Sequence, residues 1–227
     1  MLVQVPNVLT PDEVAKCRAL MERAAWDDGK LTAGDQSAVV KDNQQIRYGT
    51  PEQKELVELV LMALGRNPLF ITASLPLKIF PPMFSRYHPG QSFGTHVDNA
   101  IRNVPNTPHR VRTDVSATLF LAAPEEYEGG ELVVEDVYAA QRVKLPSGHL
   151  ILYPTSSVHH VRAVTRGTRL AAVFWVQSMV RDDGQRTILF DLDSAIRNLR
   201  ASSADQNPSI VQLTAIYHNL LRRWADV

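Results

Sequence analysis

The chain has 227 residues, with 24 Lys or Arg balanced by 24 Asp or Glu, so its formal net charge is zero. That length accommodates one sizeable domain with a core above the marginal size, and 44% hydrophobic with 21% charged residues excludes the disordered and fibrous classes. Zero net charge removes the long-range field that draws proteins to nucleic acid or anionic membranes, so neither is an expected partner.

The opening MLVQVPNVLT has no basic stretch followed by an apolar one, and no run of about 18 apolar residues occurs. The single Cys17 cannot close an internal disulfide and reads as a small buried residue of a reducing compartment. The expectation is a soluble, cytoplasmic protein. Thr10-Pro11-Asp12-Glu13 sets an N-cap before a proline at the first helical position. Val14, Cys17, Leu20 and Met21 follow at helical spacing, which predicts a helix over 10–27. A second helix is predicted after Thr50-Pro51-Glu52, with Leu56, Leu59, Val60, Ala63 and Leu64 on one stripe and Gly65 stopping it. The polar stretch between the two shows no period.

From 77 to 180 the pattern changes to short apolar or alternating runs separated by Pro, Gly and Asn: 78–87, 92–97, 114–122, 131–135, 141–144, 148–153, 158–164 and 168–179. These predict a mostly β core, a jelly roll or barrel, and disfavour a parallel α/β sheet because no helical patterns alternate with them. After Asp182-Asp183-Gly184 helical spacing returns with Leu189, Leu192, Ile196 and Leu199, then a polar loop at 202–208. Leu213, Ile216, Tyr217, Leu220, Leu221 and Trp224 form a last amphipathic stripe, which packs on the barrel or makes a homo-oligomer contact. The chain thus divides into an N-terminal helical segment (1–76), a β core (77–180) and a C-terminal helical extension (181–227).

The chemistry-bearing residues are His96-Val97-Asp98 and His159-His160. In a strand, residues two apart share a face, so His96 and Asp98 can offer one nitrogen and one oxygen to a single metal ion. Thr165-Arg166-Gly167 reads as a three-residue hairpin loop that pairs Val164 with Thr168 and sets Ala163 opposite Arg169. Alternation then puts His159, Val161, Ala163, Arg169, Ala171, Val173 and Trp175 on one face and His160 on the other, which selects His159 as third ligand unless a bulge intervenes. In this register Arg169 stands on the order of 13 Å from His159 at roughly 3.3 Å per residue, room for a small dicarboxylate held by the guanidinium fork. Two histidines and a carboxylate with open positions are the ligand set of non-haem Fe(II) oxygenases, with zinc the competing ion.

The segments RYHPGQSFGTHVDNA (86–100), RTDVSATLFLA (112–122), YEGGELVVED (127–136), VKLPSGHLILYPTSSVHHV (143–161), VTRGTRLAAVFWVQSMVRDD (164–183) and YHNLLRRWA (217–225) resemble the PKHD-type hydroxylases. These are a bacterial prolyl/lysyl-hydroxylase-like group of the Fe(II)/2-oxoglutarate-dependent dioxygenase superfamily. The resemblance covers most of the chain. It implies a double-stranded β-helix flanked by N-terminal helices and a C-terminal helical segment, with Fe(II) at His96, Asp98 and His159 and 2-oxoglutarate on Arg169. It also implies support by L-ascorbate, and matches Tyr87 to a tyrosine that touches 2-oxoglutarate in related prolyl hydroxylases. The implied reaction uses O₂ to hydroxylate a substrate and releases succinate and CO₂. Asp98 favours hydroxylation, since related halogenases lack that carboxylate. Trp175 reads equally as pocket wall and core.

Two other readings stand beside this one. A non-catalytic metal-binding jelly roll, a sensor or degenerate relative, would keep the histidines without needing Arg169. A zinc hydrolase would need a general base, and no HExxH pair is present. The substrate, a peptide residue or a small metabolite, is open. Arg102, His109, Arg110 and Arg112 read as a basic rim or a solvated loop.

Overall fold

The computed structural model describes residues 1–135, 139–202 and 207–227; Asp136 and most of the loop expected at 202–208 lie outside them. In chain order come β1 (Val3–Val5), α1 (Pro11–Arg23), β2 (Trp26–Asp28), α2 (Asp35–Val39), β3 (Lys41–Asp42) and β4 (Gln44–Ile46). Next are α3 (Pro51–Gly65), α4 (Pro68–Ser74), β5 (Pro76–Ile79), β6 (Met83–Tyr87), β7 (Ser92–His96), β8 (Ile101–Asn103), β9 (Arg110–Arg112) and β10 (Val115–Phe120). Then follow β11 (Tyr127–Gly129), β12 (Leu132–Val134), β13 (Gln141–Val143), β14 (Leu150–Pro154), β15 (His159–Val161), β16 (Val164–Gly167) and β17 (Arg169–Ser178). The helices α5 (Asp183–Ser202) and α6 (Pro208–Trp224) end the described chain.

A major sheet runs β1-β14-β10-β17-β6-β4-β2, with β5 also paired to β17, and a minor sheet runs β13-β12-β15-β7-β3. Two-stranded ribbons, β11-β16 and β8-β9, complete the pairing. The two antiparallel sheets form the jelly roll expected from the strand pattern. Side-chain parity along β17 divides its surroundings. Ala172, Phe174 and Val176 join Cys17, Leu20, Leu56, Val60, Leu64 and Phe70 of α1, α3 and α4 in the largest apolar core, while Arg169, Val173 and Trp175 line an interior cavity. Removing the Phe174 ring would cost about 3–5 kcal/mol.

Local chemistry explains the element ends. Thr10 Oγ1 accepts from the Glu13 amide, and the Glu13 carboxylate accepts from the Thr10 amide at 2.9 Å, a capping box that starts α1. The helix stops at Arg23 rather than running to 27, because Trp26–Asp28 is taken into the major sheet as β2 against β4. Residues 1–76 therefore supply β1 to β4 as well as helices. Pro81-Pro82 divides the run expected at 78–87 into β5 and β6, since neither proline can donate to a ladder.

The hairpin expected across 165–167 does not form. β16 pairs with β11, setting Arg166 opposite Glu128, whereas β17 pairs with β10 and β6 in the other sheet. Gly167 makes the crossing at φ 73°, where a Cβ would overlap the Glu126 carbonyl oxygen. β16 belongs to the two-stranded ribbon and β17 to the major sheet, so the sequence signal for a tight turn here marks a change of sheet. Parity survives the error: His159 and Val161 enter the cavity from one wall and Arg169, Val173 and Trp175 from the other.

At the C-terminus, Leu75, Val180 and Leu189 gather Tyr217, Leu220, Leu221 and Trp224, so most of the α6 stripe is spent on packing, with Val211 and Ile216 left exposed. Among the described residues no single helix is long and apolar enough to cross a membrane. α3 and α4 reach that length only as a pair bent by 85°.

Candidate active site

His159 lies directly across from His96 in the β15-β7 pairing, and both rings are buried, at 4% and 9% exposure. The register shifts beside them, with Val161 opposite Phe93, so β7 carries an extra residue. Phe93 and His96 consequently share the inner face and stack at 3.7 Å between ring centres. His96 Nδ1 lies 2.8 Å from the Gly94 carbonyl and His159 Nδ1 3.0 Å from that of Ser157. A carbonyl can only accept, so each Nδ1 carries the proton and each Nε2 presents its lone pair to the cavity. Burial first, and then the neighbouring His159, pulls the His96 pKa down to about 4, which keeps that ring neutral and able to ligate at pH 7.

Asp98 follows just beyond β7. Its Oδ2 accepts from Ser116 Oγ and Trp175 Nε1, both at 2.8 Å, and its Oδ1 lies 3.7 Å from His96 Nε2. One ligating atom from each of His96, Asp98 and His159 falls within 4.8 Å of the others. Two imidazoles with Nε2 turned inward and one oriented carboxylate fit a divalent transition metal with positions to spare. His160 stands opposite Val133 on the strand's other parity and does not line this cavity.

Arg169 lies in the same cavity and is 1% exposed. Directly opposite it in the β6-β17 pairing is Tyr87. The guanidinium sits 5.3 Å from the Tyr87 ring centre and 5.5 Å from that of Phe120. Its Nε and Nη1 have no hydrogen-bond partner, and Asp98 is the only carboxylate among the described residues lining the cavity. Unmet donors on a buried cation are costly, and a ligand carboxylate satisfies them. Burial raises the Tyr87 pKa, with Arg169 pulling the other way, so its phenol stays protonated and able to donate.

Over its full length the chain is 54% identical to a PKHD-type hydroxylase of Methylobacillus flagellatus, with 100% of each chain covered. The chain belongs to the PKHD-type hydroxylase family. A PKHD-type hydroxylase of Burkholderia lata is 55% identical, again over 100% of both chains. The family model for the 2OG-Fe(II) oxygenase superfamily matches residues 82–177, and that for the PKHD-type hydroxylase C-terminal domain matches 183–226. A solved prolyl hydroxylase of Trichoplax adhaerens, in complex with a hypoxia inducible factor peptide fragment, has the same fold. The two superpose with a TM-score of 0.53 at 15% identity, over 83% of this chain and 86% of that one. This PKHD-type hydroxylase is accordingly an Fe(II)- and 2-oxoglutarate-dependent dioxygenase that uses O₂ and a substrate.

Several residues lining the cavity had no signal in the sequence pattern, though Trp175 stood on the expected inner face. Ser116 and the indole N–H of Trp175 donate to Asp98 Oδ2, so Trp175 is hydrogen-bonded into the cavity and is more than core packing. Lys41, Asn43 and Gln45 line the cavity from the polar stretch that showed no period. Of the basic segment 101–113, Arg102 alone among the four basic residues turns into the cavity. Arg112 pairs with Asp114 at 2.7 Å, and His109 and Arg110 are exposed.

Proposed function

We propose that His96 Nε2, His159 Nε2 and Asp98 hold the Fe(II) of this hydroxylase, and that Arg169, with Tyr87, holds the far carboxylate of 2-oxoglutarate. The observation that carries the reading is the buried Arg169 fork, without partners on Nε and Nη1, in one cavity with three converging ligand atoms. A non-catalytic metal-binding barrel would have no use for such an arginine. When bound, the iron and cosubstrate supply an O₂-dependent oxidation that converts a C–H bond of the substrate to C–OH while 2-oxoglutarate leaves as succinate and CO₂.

The chain's own contribution is orientation. Ser116 and Trp175 fix the Asp98 carboxylate through Oδ2, and the Gly94 and Ser157 carbonyls fix the two ring tautomers. Tyr87 offers a phenolic O–H beside Arg169, and Leu132, Val161 and Val173 supply apolar wall to the cavity. The same reading takes 77–180 as catalytic core between an N-terminal segment 1–76 and a C-terminal extension 181–227. It includes L-ascorbate as a support for ferrous iron, a cytoplasmic setting consistent with one buried thiol, and no nucleic-acid or membrane partner at zero net charge. Self-association through α6 would use the exposed Val211 and Ile216.

The test is succinate release from 2-oxoglutarate by anaerobically iron-loaded protein exposed to O₂, together with cosubstrate affinity in Arg169→Lys. An ammonium cannot reproduce the fork, and losing one charge-assisted bond is worth about 1.5–3 kcal/mol, or about 10- to 150-fold in affinity. Unchanged affinity in Arg169→Lys would sink the assignment.

A further inference from the structure

Two more cations line this cavity at a distance from Arg169, and the cosubstrate leaves neither of them a counterion. Lys41 enters from β3, is 5% exposed, donates to Thr32 Oγ1 at 3.1 Å and lies 5.3 Å from the Phe93 ring centre. Arg102 enters from β8 and donates from Nη2 to the Thr32 carbonyl at 3.0 Å. Its guanidinium carbon lies 4.1 Å from the Trp175 ring centre and 5.1 Å from that of Phe80, and its Nε is buried without a partner. Both side chains thus converge on one residue, Thr32. Trp175 is six residues along β17 from Arg169, ~20 Å of extended strand, so Arg102 and Arg169 flank the metal ligands from separate ends.

The charges do not cancel. Fe(II) and Arg169 together balance Asp98 and the two carboxylates of 2-oxoglutarate, and Asp98 is the only acid among the described residues lining the cavity. Asp98, already balanced by the iron, acts on both cations, and Asp28 acts on Lys41 from the lining of the neighbouring cavity, where its carboxylate caps the Lys30 amide. Two like charges held together in a low-dielectric space repel, and each is expensive to bury without an anion. Consistent with this, burial and then Arg102 pull the Lys41 pKa down to about 8, and burial lowers that of Arg102.

We propose that Lys41 and Arg102 form the recognition subsite for the primary substrate, which therefore carries a carboxylate or equivalent oxyanion close to the carbon to be hydroxylated. This rests on the reading that Arg169 takes the cosubstrate. A second cavity shares Thr32, Gln45, Met83 and Arg102 with the first. Arg102 stands on their boundary, so the anionic group sits between the iron side and room for the body of the substrate.

The test uses full-length protein loaded with zinc to prevent turnover and saturated with N-oxalylglycine, a 2-oxoglutarate analogue. Acetate and sulfate are titrated in separately by calorimetry, the first probing for a planar and the second for a tetrahedral oxyanion. The expected result is saturable one-to-one anion binding that weakens by roughly tenfold or more in Lys41→Gln and in Arg102→Gln and is partly kept in Arg102→Lys. N-oxalylglycine affinity stays within about twofold in all three, because its far carboxylate rests on Arg169 and neither Lys41 nor Arg102 donates to it under that assignment. Absence of anion binding in the wild type, or equal binding in the Gln variants, overturns the inference. A collapse of N-oxalylglycine affinity in the Gln variants would reassign both cations to the cosubstrate and overturn it as well. Failure of wild-type protein to bind N-oxalylglycine at all would instead defeat the underlying assignment of Arg169.

Discussion

His159 and His160 are adjacent in sequence but opposite in consequence, because strand parity sends one ring to Asp98 and the other away from the cavity. His159→Ala is expected to abolish high-affinity iron binding, whereas His160→Ala leaves it within a few-fold. Anaerobic iron titration decides this, and the reverse result would mean that the register shift in β7 reorients the site. His96 carries a pH signature of its own. Its pKa of about 4 lies below the ordinary 6.5, so between those values the unfolded chain takes up a proton that the folded ring refuses. Stability of the metal-free protein should therefore be unaffected by this ring above pH 6.5 and fall as pH drops below it, by up to ~1.4 kcal/mol per pH unit. Urea unfolding of wild type and His96→Gln across that range checks the point: the variant should show the shallower fall. That His96, Asp98 and His159 come together was legible because residues two apart on a strand share a face and parity selects His159 over His160. Lys41, Asn43 and Gln45 were not, although burial alternates along Lys41 to Asn43, because period-two patterns are read from apolar residues and here the inward side chains are polar.

The same limit operates on whole elements. β2, β3 and β4 were invisible in the stretch between the first two helices, where short strands lining a polar cavity lack an apolar face. The helices α1 and α3 were legible from their caps and stripes, which are local. The turn signal at 165–167 was real and its partner was wrong, since pairing with β11 rather than β17 is a long-range fact that no local pattern contains. Next to that crossing, Gly130 adopts φ 65°, and a Cβ there would meet Val164 Cγ2 at 3.0 Å, Tyr127 Cε2 at 3.1 Å and Arg169 Cδ at 3.2 Å. Gly130→Ala is thus expected to press on the arginine stem, weakening N-oxalylglycine binding several-fold while zinc affinity stays near that of wild type. Parallel calorimetric titrations of the two ligands test it; equal losses for both would point to general destabilisation instead.

At the scale of the molecule, the jelly roll was legible from the count and spacing of strand-like runs, and the C-terminal helical pair from its stripes. What could not be read was that residues 1–76 are woven into both sheets and supply one side of the site. The major sheet separates two environments, the cavity on its inner face and the helix-covered core on its outer face, and Cys17 belongs to the second. Burial pushes its thiol pKa up to about 12, so the thiolate that oxidants attack is scarcely present at neutral pH. An enzyme that activates O₂ beside ferrous iron risks oxidising itself whenever turnover runs without a substrate, and in this chain the sulfur that faces that hazard is the thioether of Met83 in the cavity wall. After prolonged substrate-free turnover, peptide mass spectrometry should find sulfoxide at Met83 before any oxygen on Cys17. Oxidation appearing first on Cys17 would show that the sheet is a poorer barrier than its packing indicates.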